Sequence, residues 1–159
     1  MPIRPSAPPA KAEPKREMAL DFHGNIMVTI HTAYAPSDAD WRVYLDALRD
    51  KDLDALRSIV FTDGGAPSSK QRKELNELLG GRQVRGIVVS NSMAVRGVVT
   101  ALSWFNPKIK AFAPDELRQG LRYLEISSTE EAAVWEVIED VLSQLSTQDL
   151  RSVPKIPGR

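Results

Sequence analysis

Ile59-Val60-Phe61-Thr62-Asp63-Gly64-Gly65-Ala66-Pro67-Ser68-Ser69-Lys70 runs from an apolar strand through a glycine turn into a helix start. A strand as continuously apolar as Leu56–Thr62 predicts burial on both faces, the mark of a parallel strand covered by helices. Its carboxyl end delivers Asp63 and the first N–H groups of the next helix into the crevice where α/β sheets bind ligands. That helix, expected from about Ser68 to Leu79, places Lys70, Arg72 and Lys73 in its first turns and stops at Gly80-Gly81. Cations there oppose the macrodipole by roughly 0.3 to 1 kcal/mol each. An anionic partner would offset that cost.

Working outward, Met18 to Phe22 and Ile26 to Thr32 are β-prone and flank His23-Gly24-Asn25, which is hairpin chemistry. Pro36-Ser37 opens a helix with Ser37 and Asp40 in capping-box positions and Trp41, Leu45 and Leu48 as its buried stripe. Val84 to Val89 is a second buried strand, and Ser90-Asn91-Ser92 caps a helix to about Phe105. Ile109 to Ala113 is a last short strand. Helices follow from Pro114 to Leu124 and from Ser128-Thr129-Glu130-Glu131 onward, the latter with a stripe of Val134, Ile138, Val141 or Leu142, and Leu145. The order predicts an α/β fold: a mixed sheet opening with a hairpin, then alternating helices and strands, with an extra C-terminal helix.

The whole chain supports one such core. Its 159 residues, 42% hydrophobic and 26% charged, suffice to bury roughly two thirds of the unfolded surface. The division expected is a Pro-rich basic tail over residues 1–17, an α/β domain over 18–147 and a flexible tail over 148–159. Lysine and arginine balance aspartate and glutamate, 21 against 21, so no global field favours nucleic acid or an anionic membrane. Zero cysteines and two histidines exclude disulfides, thiolate catalysis and zinc sites of the Cys or poly-His kind. With neither a signal-peptide pattern nor an apolar run of about 20 residues, the expected location is cytoplasmic.

The succession of elements resembles the STAS domain superfamily, and more narrowly its SpoIIAA-like group, often joined with SEC14-type domains. The local echo is Val88-Val89-Ser90-Asn91-Ser92-Met93-Ala94-Val95-Arg96-Gly97-Val98-Val99-Thr100-Ala101-Leu102, then Ile109-Lys110-Ala111-Phe112 and Asp115-Glu116-Leu117. The resemblance implies a non-enzymatic switch or docking module. In anti-sigma-factor antagonists of that fold an Asp-Ser-Ser-Gly type loop carries a phosphorylated serine. Here Asp63 stands in place, but Gly64-Gly65-Ala66-Pro67 intervenes before Ser68-Ser69.

Each candidate feature has a functional and a plain reading. Asp63 could act as a general base, Mg²⁺ ligand or phosphoacceptor, with Asp38, Asp40, Ser90 and Ser92 near other strand ends; alternatively it opens a turn through an Asx hydrogen bond. Asp63, Gly64, Gly65, Ser68, Ser69, Lys70, Arg72 and Lys73 could bind an anion, a nucleotide phosphate or an acidic partner; alternatively the cations line a solvated helix face. No Walker loop is present, and no cofactor is expected. His31 with Ser90 or Ser92 and Asp63 would make a triad only by coincidence, a half-exposed strand histidine being the simpler expectation.

On the helix after Ser92, a core stripe of Val95, Val98, Val99, Leu102 and Phe105 leaves Met93, Arg96, Gly97, Thr100 and Trp104 as a candidate interface. Methionine and tryptophan around a small-residue centre fit a protein partner or self-association, unless another segment covers Trp104. The reading is a non-catalytic regulatory or scaffolding module acting by protein–protein interaction. An anion or nucleotide sensor is the alternative, and a phosphoacceptor or small hydrolase centred on Asp63 comes last.

Overall fold

A computed structural model of the chain describes residues 15–102 and 106–155. Strands β1 (Met18–His23) and β2 (Ile26–His31) form the hairpin, α1 (Asp38–Arg49) leads to β3 (Arg57–Thr62), and α2 (Ser69–Leu79) to β4 (Arg85–Val89). Then α3 (Met93–Leu102) precedes β5 (Ile109–Phe112), a 3₁₀ turn at Pro114–Glu116 runs into α4 (Leu117–Tyr123), and α5 (Ser128–Leu142) follows. The sheet order is β1-β2-β3-β4-β5, with β1 antiparallel to β2 and every later pair parallel. The mixed sheet opening with a hairpin is therefore as the sequence predicts.

Local chemistry accounts for the element ends. Gly24 takes φ +56° in the hairpin turn, while the Asn25 side chain reaches across to Ala55 O at 2.9 Å and accepts from Arg57 at 3.0 Å. Ser37, Ser68 and Ser127 cap α1, α2 and α5, and the last two form reciprocal boxes with Gln71 and Glu130. The expected box at Ser37 is one-sided: Ser37 accepts from the Asp40 amide, but the Asp40 carboxylate lies 3.8 Å from Arg16. Gly80 ends α2 in the left-handed region, φ 57°.

Alternation along the strands sorts the core into two layers. Ile59 and Phe61, Ile87 and Val89, and Ile26, Val28 and Ile30 pack with α4 and α5 through Leu117, Leu121, Leu124, Val134, Ile138 and Val141. On the other face Met18 and Met27 meet Trp41, Leu45 and Leu48 of α1, with Leu75 and Leu78 of α2 at the margin. Arg57 bridges the layers' lower rim, donating to Glu130 at 2.7 Å and to the carbonyls of Leu124 and Glu125 at 3.2 Å. That bond, followed by the Ser127 amide, holds the Glu130 carboxyl below its ordinary range.

Both boundaries of the folded part move. Arg16 and Glu17 belong to it: Arg16 bridges Leu145, and Glu17 accepts hydrogen bonds from Thr32 and Ser146. The stretch up to residue 14 lies outside the described residues. At the other end the segment expected to fray from residue 148 packs on the body, with Leu150 and Ser152 buried. Long-range bonds from backbone amides hold it, which periodicity does not register.

Candidate functional site

Thr62, not Asp63, organises the turn after β3. Its hydroxyl accepts from the Gly64 amide at 3.0 Å and donates to Gly65 O at 2.7 Å. The Asx reading of Asp63 is thereby corrected. Gly64 adopts φ +129°, and Gly65 lies flat against the end of β2, donating to Thr32 O at 2.9 Å. A Cβ on Gly65 would stand 2.6 Å from Thr32 O and closer still to Tyr34 O.

The Asp63 carboxylate turns to the α5 side of the sheet. There Oδ2 accepts from the Arg151 amide at 2.9 Å and Oδ1 from the Ser152 amide at 2.8 Å. Both carboxylate oxygens are thus engaged by the C-terminal segment. Consecutive backbone N–H groups form a small anion-binding concavity, here filled by an internal carboxylate.

Ser68, Ser69, Lys70, Arg72 and Lys73 have different partners. Ser68 accepts from the Gln71 amide, and the Gln71 Oε1 accepts from the Ser68 amide at 2.9 Å. Gln71, buried at 3% exposure, also donates to Pro36 O and Asp38 Oδ1, each at 3.1 Å, and its carbonyl accepts from Trp41 Nε1 at 3.0 Å. This residue seats α2 on α1, and the signal in the sequence that could have found it is the capping-box spacing Ser68-x-x-Gln71. Lys70, Arg72 and Lys73 are exposed, and Arg72 donates to Ser69 Oγ at 3.2 Å. The cations face solvent from α2 while Asp63 contacts the opposite side's strap. Three amides of the turn are committed: Gly64 to Thr62, Gly65 to Thr32 and Ser68 to Gln71.

His31 is buried at 6% exposure, not half-exposed, and burial alone pushes its pKa down to about 4. Its Nδ1 finds no partner among the described residues. The Ser90 and Ser92 hydroxyls accept from the amides of Ser92 and Val95, at 3.2 and 3.3 Å, as turn and helix caps. A nucleophile–base–orienter line through His31 is not assembled. Among the described residues no three His, Asp or Glu side chains converge as a metal would require.

On α3, Met93 is 80% exposed, and Gly97 and Thr100 also face outward. Val98, expected in the core stripe, is 58% exposed, whereas Val99 is buried and Val95 partly so. Arg96 is half-buried and reaches Glu116 at 3.9 Å, tying α3 to the start of α4, and Thr100 donates to Arg96 O at 2.9 Å. Trp104 and Phe105 lie outside the described residues. A shallow depression of about 270 Å³ beside this face is lined by Thr100, Ile109, Lys110, Ala111 and Phe112.

No protein-family model matches the chain, and no curated protein matches it. Among solved structures it is similar to an uncharacterised DUF3478-family protein with a SpoIIAA-like fold from Shewanella loihica, with a TM-score of 0.51 at 14% identity. The similarity covers 72% of this chain and 99% of that one. The protein has a SpoIIAA-like α/β fold. No helix among the described residues is long and apolar enough to cross a membrane.

Proposed function

We propose that the protein is a non-catalytic regulatory or scaffolding module that binds another protein. The observation that carries this reading is the outward face of α3, where Met93 and Val98 stand 80% and 58% exposed around Gly97. Large apolar side chains left exposed on either side of Gly97 on one helix are of the kind that marks interaction sites. The exposed cations Lys70, Arg72 and Lys73 on α2 offer a second, charged surface suited to an acidic partner. The hydroxyl and carboxylate groups at the strand ends act as caps and clasps, which supports a binding role over a catalytic one.

The test is affinity capture from the native cell extract with the full chain, beside two folded variants: Met93→Ser with Val98→Asp, and Lys70→Gln with Arg72→Gln and Lys73→Gln. Exposed positions such as these change stability by only about 0.5 kcal/mol, so the variants should fold. The reading expects a partner retained by the native chain and lost from at least one variant. Identical partners for all three chains, or none for any, would refute it.

A further inference from the structure

We propose that Asp63 and the apolar wall beside it form a peptide-binding site, occupied in this chain by its own residues 149–155 and open in exchange to an external peptide. The ligand class is a segment that presents two consecutive free amide N–H groups flanked by aliphatic side chains. This rests on the reading of the protein as a docking module and names the ligand for one of its surfaces.

The contacts define the ligand. The Arg151 and Ser152 amides hold the two oxygens of Asp63 at 2.9 and 2.8 Å, Leu150 before them is buried, and Val153 after them packs on the main core. The recognition elements are therefore backbone donors and two aliphatic anchors; the Arg151 side chain points to solvent. Ser152 contributes little by its own hydroxyl, which is fully buried and without a partner among the described residues. A residue that met its site for its own side chain's sake would have that hydroxyl paired.

The attachment is also thin. Beyond Ser146, which bonds Arg16 and Glu17, the joining residues Thr147 and Gln148 are exposed, and Asp63 makes no ion pair among the described residues. The segment rests on two aliphatic anchors and two amide bonds at the chain's periphery, and units held by so few contacts open locally without global unfolding. Opening would leave a half-buried carboxylate without donors and an aliphatic hollow facing water, and both favour recapture of some chain with the same pattern. Intramolecular occupancy sets a high effective concentration against which an external peptide competes, so the site is self-limiting.

The probe is a fluorescein-labelled peptide with the sequence of residues 147–155, titrated by anisotropy into the full chain and into a full-length variant with Leu150→Ser and Val153→Ser, which loosens the resident segment. The loosened chain, its fold verified by circular dichroism, should bind the probe at least about 10-fold more tightly than the native chain. Adding Asp63→Asn to it, or N-methylating the Arg151 and Ser152 amides of the probe, should each weaken binding by about 10-fold or more. Equal binding of the methylated probe, or no binding by a folded loosened chain, overturns the proposal.

Should the loosened chain fail to fold, amide hydrogen exchange on the native full chain decides instead. The Arg151 and Ser152 amides should exchange at least about 100-fold faster than those of Phe61 and Ile87, and faster still with Asp63→Asn. Exchange of all four at one common rate overturns it. Failure of the α2 and α3 variants to lose a partner bears only on the capture reading, because neither helix supplies an atom to the peptide contact.

Discussion

Replacing Gln71 with alanine should be among the most damaging polar substitutions in the chain, although Gln71 sits on a helix that is mostly solvated. Its amide group makes three hydrogen bonds, from the Ser68 amide and to Pro36 O and Asp38 Oδ1. Net, each such bond contributes about 1 kcal/mol, and leaving buried groups unmatched adds roughly 1 to 3 kcal/mol in total. The Asp38 contact is partly exposed and counts for least, whereas the Pro36 carbonyl is buried with the glutamine. A loss of about 3 kcal/mol follows, which for a chain of this size lowers Tm by roughly 6 to 12 °C. The assay is urea unfolding with the m-value checked for constancy, alongside Gln71→Glu. Glutamate keeps the acceptor for the Ser68 amide but turns a carboxylate toward Pro36 O and Asp38, so it should rescue little. A loss below about 1 kcal/mol for alanine, or full rescue by glutamate, would refute the claim that this side chain joins the two helices through donated bonds.

Two further outcomes follow from the same geometry. Gly65→Ala must push a Cβ against two backbone carbonyls at the end of β2, and should destabilise by about 3 kcal/mol or more, measured by thermal unfolding. His31 has a folded pKa of about 4 against 6.5 unfolded, so its contribution is complete above pH 6.5 and is lost as pH falls toward 4, on the order of 3 kcal/mol in all. His31→Leu should flatten the stability profile across that window, and an unchanged profile would show that the imidazole is not held neutral by burial.

Most of the architecture was legible in the sequence because it is written in local chemistry. Gly24-Asn25 between β-prone runs, Ser-capped helix starts and the continuous apolar strand at Ile59–Thr62 each act within a few residues. The misreadings share a different cause. Asp63 binds amides 88 and 89 residues away, and nothing near either partner announces the other. His31 is buried on the face it shares with Met27 and Thr29, and whether that face is covered is something strand alternation alone does not decide. Val98 looks like core by helical angle, yet it stands 58% exposed beside the buried Val99, because how the helix is rotated against the sheet is set by packing that its own residues do not announce. Long-range partnership, not composition, fixed these sites.

The strand order has a consequence for the growing chain. Every strand pairs with its immediate predecessor in sequence, so the sheet can extend one strand at a time as residues leave the ribosome. One face is clothed as it forms, since α1 arrives between β2 and β3 and α2 between β3 and β4. The other face has no cover of its own until α4 and α5, the last helices to be made. α4 follows β5 within a few residues and reaches Ile87, but Ala19, Ile26, Val28 and Ile30 of the hairpin, over which α5 packs, stand bare while some thirty residues beyond β5 are synthesised, a delay of about 2 to 6 s at 5 to 20 residues per second. During that interval the nascent protein is a natural client for a holding chaperone, and stalled chains ending before α5 should be its most aggregation-prone products.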